Sequence, residues 1–271
     1  MIHPFVLHRP ESLSTALSLI ADLKDETRVL AGGSELVLLF KMGLARSDHI
    51  IDIKRVAGLN RLEFDPFTNV LHVGPLVTHR LLEKSNVVKQ HFPLMVEMER
   101  SLANVRIRNI GTLAGNLCFA EPHADPAALL LVYDAVVKLQ NSARERRVRI
   151  GDFFTDYYQT VLEKDELMTE IEIPKVVANF WATYARFCPG ERPIVSAALL
   201  IAWKDGTCLE ARFGLGCVGP KPIRVSECEE WLRGKSAEEI ITRIDAIGTS
   251  AAKVIAAAKS SVEDFFSFLK T

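Results

Sequence analysis

Two short glycine-bearing segments hold the residue types best suited to ligand chemistry. The first, Leu30-Ala-Gly-Gly-Ser-Glu-Leu36, follows a run of strand-forming residues at Arg28–Ala31. Adjacent Gly32 and Gly33 let the backbone take positive φ and come close to a ligand. Successive N–H groups at such a turn form a concavity that suits phosphate, aided here by the Ser34 hydroxyl. The second segment, Arg108-Asn-Ile-Gly-Thr-Leu-Ala-Gly-Asn-Leu117, offers the same chemistry through Gly111, Thr112, Gly115 and Asn116. A pyrophosphate has more acceptor oxygens than one segment can serve, so two of them make a sensible clamp once the fold joins them. Neither is specific alone. A Gly-Gly after a strand is most often a plain turn, and neither segment is a Walker loop or a G-x-G-x-x-G fingerprint. Arg106 and Arg108 either add charge to this site or decorate the surface of a strand.

Other chemistries find little support. The five cysteines (Cys118, Cys188, Cys208, Cys217, Cys228) are widely spaced, with no C-x-x-C and no histidine pairing at finger spacing, so no metal or iron–sulfur site is expected on this chain. Free thiols suit a reducing cytosol. The seven histidines are scattered, only His123 sits in a motif segment, and no Ser-His-Asp order or paired-carboxylate signature emerges, so no catalytic residue is assigned. With 33 basic and 34 acidic side chains the net charge is −1, which leaves no footprint for nucleic acid. The Arg144–Arg149 run reads as a charged turn and the solvated face of a strand. The amino terminus lacks an apolar signal core, and the longest apolar runs, such as Ala197–Trp203, are too short to span a bilayer. A cytoplasmic protein without membrane insertion is expected.

The elements that must position the two segments follow from pattern. Ser12 is placed as N-cap of a helix whose apolar face is Leu13, Ala16, Leu17, Ile20 and Leu23. Strands are expected at His49–Ile53, Val70–Val73, Ala135–Leu139 and Leu167–Ile173. Helical spacing of Leu94, Met95, Met98 and Leu102 leads into the second segment, and Asp125 followed by Pro126 opens another helix as its cap. Two strands around Ile194–Trp203 and Leu209–Cys217 flank a Lys204-Asp-Gly206 hairpin turn. Ile240, Ile244, Ile247, Ala251, Val254 and Ala258 then share a helical face, and Phe265, Phe266 and Leu269 close the chain. A subdomain boundary is expected near Ala57.

Taken with their flanks, the two segments resemble the FAD-binding medium subunit of the xanthine dehydrogenase and carbon monoxide dehydrogenase family of molybdenum hydroxylases. The carriers are Ala31-Gly-Gly-Ser-Glu-Leu36 continued by Phe40-Lys41, then Ile51-Asp-Ile53, then Arg108-Asn-Ile-Gly-Thr-Leu-Ala-Gly-Asn116 with Pro122-His-Ala-Asp125. Asp152-Phe-Phe154 and Glu166–Pro174 follow in order. The resemblance implies an α+β fold: a two-subdomain FAD-binding domain of the vanillyl-alcohol-oxidase (PCMH) type, with subdomains 1–56 and 57–174, plus a C-terminal domain of small antiparallel sheet and helices at 175–271. It implies that Leu30, Ala31, Gly32, Gly33, Ser34, Glu35 and Leu36, with Gly111, Thr112, Ala114, Gly115 and Asn116, hold the pyrophosphate. Cys118 would lie near the flavin ring, Asp125 near the ribityl or phosphate region, and Thr169 on a strand passing the isoalloxazine. As residues in their own right, Cys118 reads as a small buried side chain and Asp125 as a helix cap.

The sequence departs from the family pattern at three places. Ala114 stands for a glycine, Ala185 for a frequent lysine, and Glu191-Arg192 for an aspartate followed by an aromatic or isoleucine. The resemblance further implies molybdopterin on a large partner subunit and [2Fe–2S] clusters on a small one, in a dimer of heterotrimers, with electrons leaving this chain's FAD for an external acceptor. Two alternatives stay open: a stand-alone FAD-dependent oxidoreductase of the same fold, and a nucleotide-binding regulatory module.

Overall fold

The computed structural model describes residues 2–176, 180–190 and 192–242. Ile244, Ile247, Ala251, Val254, Ala258, Phe265, Phe266 and Leu269, and the Glu191 departure, lie outside them. Near the amino terminus, Ser12 caps the Leu13–Leu23 helix by accepting from the Thr15 amide. Ala16, Leu17 and Ile20 point inward onto a parallel sheet of β1 (Val6–His8), β2 (Thr27–Leu30) and β3 (His49–Asp52) in the order β1-β3-β2.

A second sheet is antiparallel. It runs β4 (Leu62–Asp65), β5 (Val70–Val73), β10, β6, β7, where β6 is Val136–Gln140, β7 is Glu145–Arg149 and β10 is Leu167–Pro174. A small pair, β8 (Phe154–Asp156) and β9 (Gln159–Thr160), lies before β10 in sequence. Apolar residues of the sheet, among them Leu71, Val73, Val137, Leu139 and Ile171, meet helices Pro93–Ser101, Leu113–Phe119 and Pro126–Val132 in the largest core. The Pro126–Val132 helix is buried at every residue, as an all-apolar helix must be.

That helix is buried because a third sheet covers its other side. The third sheet is antiparallel, in the order β11 (Phe180–Phe187), β12 (Val195–Lys204), β13 (Thr207–Gly216), β14 (Ile223–Arg224). Its β13 lies so close to the helix that a methyl on Gly214 would fall 2.6 Å from the Ala128 carbonyl oxygen. The β12–β13 turn is the expected one: Asp205 and Gly206 take φ of 51° and 78°, the left-handed pair that a two-residue hairpin requires. Helices Ser226–Leu232 and Ala237–Thr242 follow.

Two expectations need correction. Arg106 and Arg108 stand on a helix, Val105–Ile110, not on a strand, because Asn104 caps it by accepting from the Arg106 and Ile107 amides. Asp125 occupies the position before the Pro126–Val132 helix but caps nothing: its own backbone is helical and its carboxylate is engaged elsewhere.

Candidate functional site

The first glycine segment leaves β2 and turns at Gly33, whose φ is +81°. Leu30 packs beneath that turn, its Cδ1 where a Gly33 side chain would be. Helix Leu36–Met42 then carries the chain away and ends on left-handed Gly43. Lys54 steadies the segment, reaching the Ala31 carbonyl at 3.4 Å while paired with Asp52 at 2.8 Å. No protein group among the described residues accepts a hydrogen bond from the amides of Gly32, Gly33, Ser34 or Glu35. Four neighbouring donors are therefore free to serve a bound anion.

The second segment is built differently from its expected form. It is two short helices, Val105–Ile110 and Leu113–Phe119, joined at Gly111-Thr112. Thr112 caps the second helix by accepting from the Gly115 amide at 3.0 Å. The amides of Gly111, Leu113 and Asn116 are also spent, on Ile107, Val77 and Thr112 carbonyls. This segment therefore supplies shape and side chains more than bare backbone donors. Ala114 sits inside the helix, where a negative φ suits alanine, so the departure at this position costs no backbone freedom.

The fold brings the two segments into direct contact. A methyl on Gly32 would lie 2.0 Å from the Ile110 carbonyl oxygen, and one on Gly111 would lie 3.3 Å from both the Ser34 Oγ and the His79 ring. At this seam opens a cleft of about 410 Å³, a size that suits a small-molecule ligand. Of the expected site residues it is lined by Ala31, Gly32, Gly33, Ser34, Glu35, Leu36, Thr112, Ala114, Gly115, Asn116, Cys118 and Asp125. Leu30, Gly111 and Thr169 do not line it. Leu30 and Gly111 lie under the two turns, and Thr169 sits at an irregularity in the β10–β6 pairing while its neighbours Leu167 and Met168 face the cleft.

One side of the cleft is tied by charge. Arg192 reaches Glu121 and lies 3.6 Å from Glu35, which joins the C-terminal segment to the first glycine segment. Burial alone would raise the Glu121 carboxyl. Hydrogen bonds from His123 and Tyr158, with the Arg192 charge, outweigh it and hold the group at about 2. Asp125 is buried and accepts from the Tyr184 hydroxyl and from Arg186 at 2.6 Å, so β11 is fastened to the cleft wall. Desolvation pushes the Asp125 carboxyl upward against those two partners, and pushes the Cys118 thiol up to about 12. Cys118 is thus an inert, soft wall of the cleft. Ala185, between Tyr184 and Arg186, is exposed on the opposite face of β11.

The cleft fits a dinucleotide by its own features. The glycines permit an approach that any side chain would block, four amides stand unspent, and the buried Asn116 Oδ1 has no hydrogen-bond partner. Such an orphan acceptor calls for a donor from a ligand. Three participants were not among the expected cofactor contacts: His79, Glu121 and Arg192, the last marked in the sequence only as a departure from the family pattern. His79 had a legible signal, because its partner Glu99 falls four residues after Met95 on an otherwise apolar helical face. Arg108, by contrast, is turned away to Glu83 and to the Leu102 and Ala103 carbonyls. His72, Glu170 and Glu172 lie close enough together to hold a metal ion, but Lys138 and Arg147 already neutralise the two carboxylates.

Comparison with known proteins bears on the same residues. Residues 3–176 match the family described as the FAD binding domain in molybdopterin dehydrogenase, and residues 184–263 match the CO dehydrogenase flavoprotein C-terminal domain. The chain is 33% identical to the caffeine dehydrogenase subunit beta of a Pseudomonas species, over 84% of this chain and 77% of that one. It is 30% identical to the glyceraldehyde dehydrogenase medium chain of Sulfolobus acidocaldarius, over 87% and 83%. Among solved structures, carbon monoxide dehydrogenase from Hydrogenophaga pseudoflava superposes with a TM-score of 0.84 at 28% identity, covering 87% of this chain and 82% of that one. Quinoline 2-oxidoreductase from Pseudomonas putida 86 gives 0.84 at 26%, covering 94% and 86%.

Proposed function

The chain belongs to the FAD-binding medium subunits of the molybdopterin dehydrogenases, the molybdenum hydroxylases, and from that premise we propose that it passes electrons from partner-borne [2Fe–2S] clusters to an external acceptor. A large partner subunit carries the molybdopterin and oxidises the substrate, a small one carries the clusters, and the assembly is a cytoplasmic dimer of heterotrimers. The support from the sequence side is that the relatives are named as medium or FAD subunits of dehydrogenases. Among the described residues no helix is long and apolar enough to cross a membrane. The chain divides into units 1–56, 57–174 and 175–271, a reading supported by one main sheet in each.

The observation that carries the proposal is the row of unspent amides at Gly32–Glu35, pressed against the second segment at the Gly32–Ile110 contact. Bound FAD supplies the two-electron carrier chemistry. The chain's residues bind and orient it. The backbone of Ala31–Leu36 holds the pyrophosphate, with Thr112, Gly115 and Asn116 opposite, and Leu30 and Gly111 shape the two turns from beneath. Cys118, Leu167 and Met168, with Thr169 beside them, form the apolar wall for the ring, and Asp125 and Arg192 tie β11 and the segment after it over the site. On this reading none of the described residues need act as a general acid or base.

The test is purification from the native host, with metal analysis and anaerobic spectroscopy. A complex containing molybdenum and iron is expected, with flavin bands that bleach on adding the substrate of the large subunit and return on adding an acceptor. Recovery of an active chain alone, without either metal, overturns the proposal.

A further inference from the structure

Behind the seam lies a buried ionisable pair, His79 and Glu99. They are 2% and 0% exposed, and the His79 Nδ1 lies 2.9 Å from a Glu99 oxygen. The other Glu99 oxygen, Oε1, is buried with no hydrogen-bond partner. Burial of a carboxylate beside a neutral ring, with one oxygen unsatisfied, is costly, and the cost falls when the pair as a whole is neutral. A proton held between Nδ1 and Glu99 in a pair that is neutral as a whole leaves a hydrogen on the far nitrogen, Nε2, and an anion facing Nε2 favours that arrangement.

The geometry places that N–H where an anion would need it. The His79 amide donates to the Gly111 carbonyl at 3.0 Å, and Thr78 bridges to Thr112, so residues 78–79 are stitched to the second segment. The ring lies against Gly111 with its Cδ2, the atom bonded to Nε2, 3.3 Å from a methyl built there; the Ser34 hydroxyl stands at the same distance from the same point. His79 thus reaches the seam between the glycine segments and lines the cleft. Among the described residues no protein group bonds its Nε2.

Charge points the same way. Lys54 is held by Asp52, Lys164 by Asp25, and Arg192 by Glu35 and Glu121, while Arg28 donates to backbone carbonyls. Arg80 and Arg108 both bond the one Glu83 carboxylate. Of the cations lining the cleft, Lys164 and Arg192 are thus already engaged by carboxylates, as is Lys54 beside the first segment, so fixed N–H donors would share with Arg28 in meeting the pyrophosphate charge.

We propose that His79, positioned by Glu99, is a cofactor-contacting residue that donates a hydrogen bond from Nε2 to a phosphate oxygen of the dinucleotide. The inference rests on the FAD reading. Among the described residues the Glu99 carboxyl bonds only the His79 ring, so with the contact the Glu99–His79–phosphate chain is a relay of positioned hydrogen bonds.

The experiment uses the full chain stripped of flavin, titrated with FAD, with ADP and with riboflavin. The double variant His79→Leu/Glu99→Leu removes the pair without leaving a buried charge, and Glu99→Gln retains a bond to Nδ1. For the double variant, FAD and ADP are expected to bind about 10- to 100-fold more weakly, riboflavin unchanged, and the ³¹P shift of the bound FAD pyrophosphate to move. Glu99→Gln is expected to fall between the double variant and wild type, and it keeps the test open should the double variant fail to fold. Wild-type affinity for FAD and ADP with an unmoved ³¹P shift, in whichever variants fold, would overturn the His79 proposal while leaving the FAD reading intact. If the wild-type chain itself binds neither FAD nor ADP, the FAD reading falls, and the His79 proposal with it.

Discussion

Replacing Gly32 by alanine isolates what the seam does. The new methyl lands 2.0 Å from the Ile110 carbonyl oxygen, 2.9 Å from its carbon and 3.0 Å from the Gly111 Cα, all of them backbone atoms. That is about 1.4 Å short of ordinary contact, so one segment has to retreat, and overpacking of this kind costs about 1–3 kcal/mol. The larger effect is on binding. The displaced amides of Gly32–Glu35 no longer converge on one anion, and loss of one charge-assisted hydrogen bond, about 2 kcal/mol, weakens affinity about thirtyfold. Gly58→Ala is the matched control. Gly58 has φ of +83° with nothing within 4 Å of an added methyl, so alanine there costs backbone strain of about 1 kcal/mol without touching the Gly32–Ile110 contact. Flavin-fluorescence titration of the apo-chain, alongside thermal melts, reads both quantities. Gly32→Ala is expected to lose FAD affinity well beyond its loss of stability, and Gly58→Ala to lose stability alone. Wild-type FAD affinity in Gly32→Ala would refute the claim that contact between the segments builds the site.

Three further outcomes follow from the same geometry. The folded-state Glu121 carboxyl is held at about 2, below its ordinary 4.5, so its contribution to stability is full above about pH 4.5 and is lost as pH falls toward 2. Glu121→Gln should therefore flatten the acid limb of a urea-midpoint profile between those values; an unchanged limb would show that the Arg192–His123–Tyr158 cluster is not what holds the group. Asp125→Asn strips the negative charge from a buried site that holds Arg186, and a drop of about 3 kcal/mol in unfolding free energy is expected by chemical denaturation. With its thiol pushed up to about 12, Cys118 should escape iodoacetamide at pH 8 in the native chain and react once the chain is unfolded, read by peptide mass spectrometry.

Local signals made much of the scaffold legible. Ser12 at the first helix and Asp205-Gly206 at the β12–β13 turn act through their immediate neighbours, so their geometry follows from residue type alone. The two glycine segments were visible as ligand-bearing, but their division of labour was not. Thr112 looks like a ligand donor in sequence and is also the cap that consumes the Gly115 amide. Asp125 had every mark of a helix cap, yet Tyr184 and Arg186, some sixty residues later, take its carboxylate. Arg108 was spent in the same way on Glu83. These long-range competitions for one polar group leave no local trace. Glu99 is the exception, since a carboxylate in phase with Met95 and Leu102 on an apolar face signals a buried partner.

The most direct test of the account is equilibrium titration of the purified full chain with FAD, followed by gel filtration and an absorption spectrum. One tightly held FAD per chain is expected, with flavin bands that travel with the protein. A chain that stays colourless after reconstitution would contradict it.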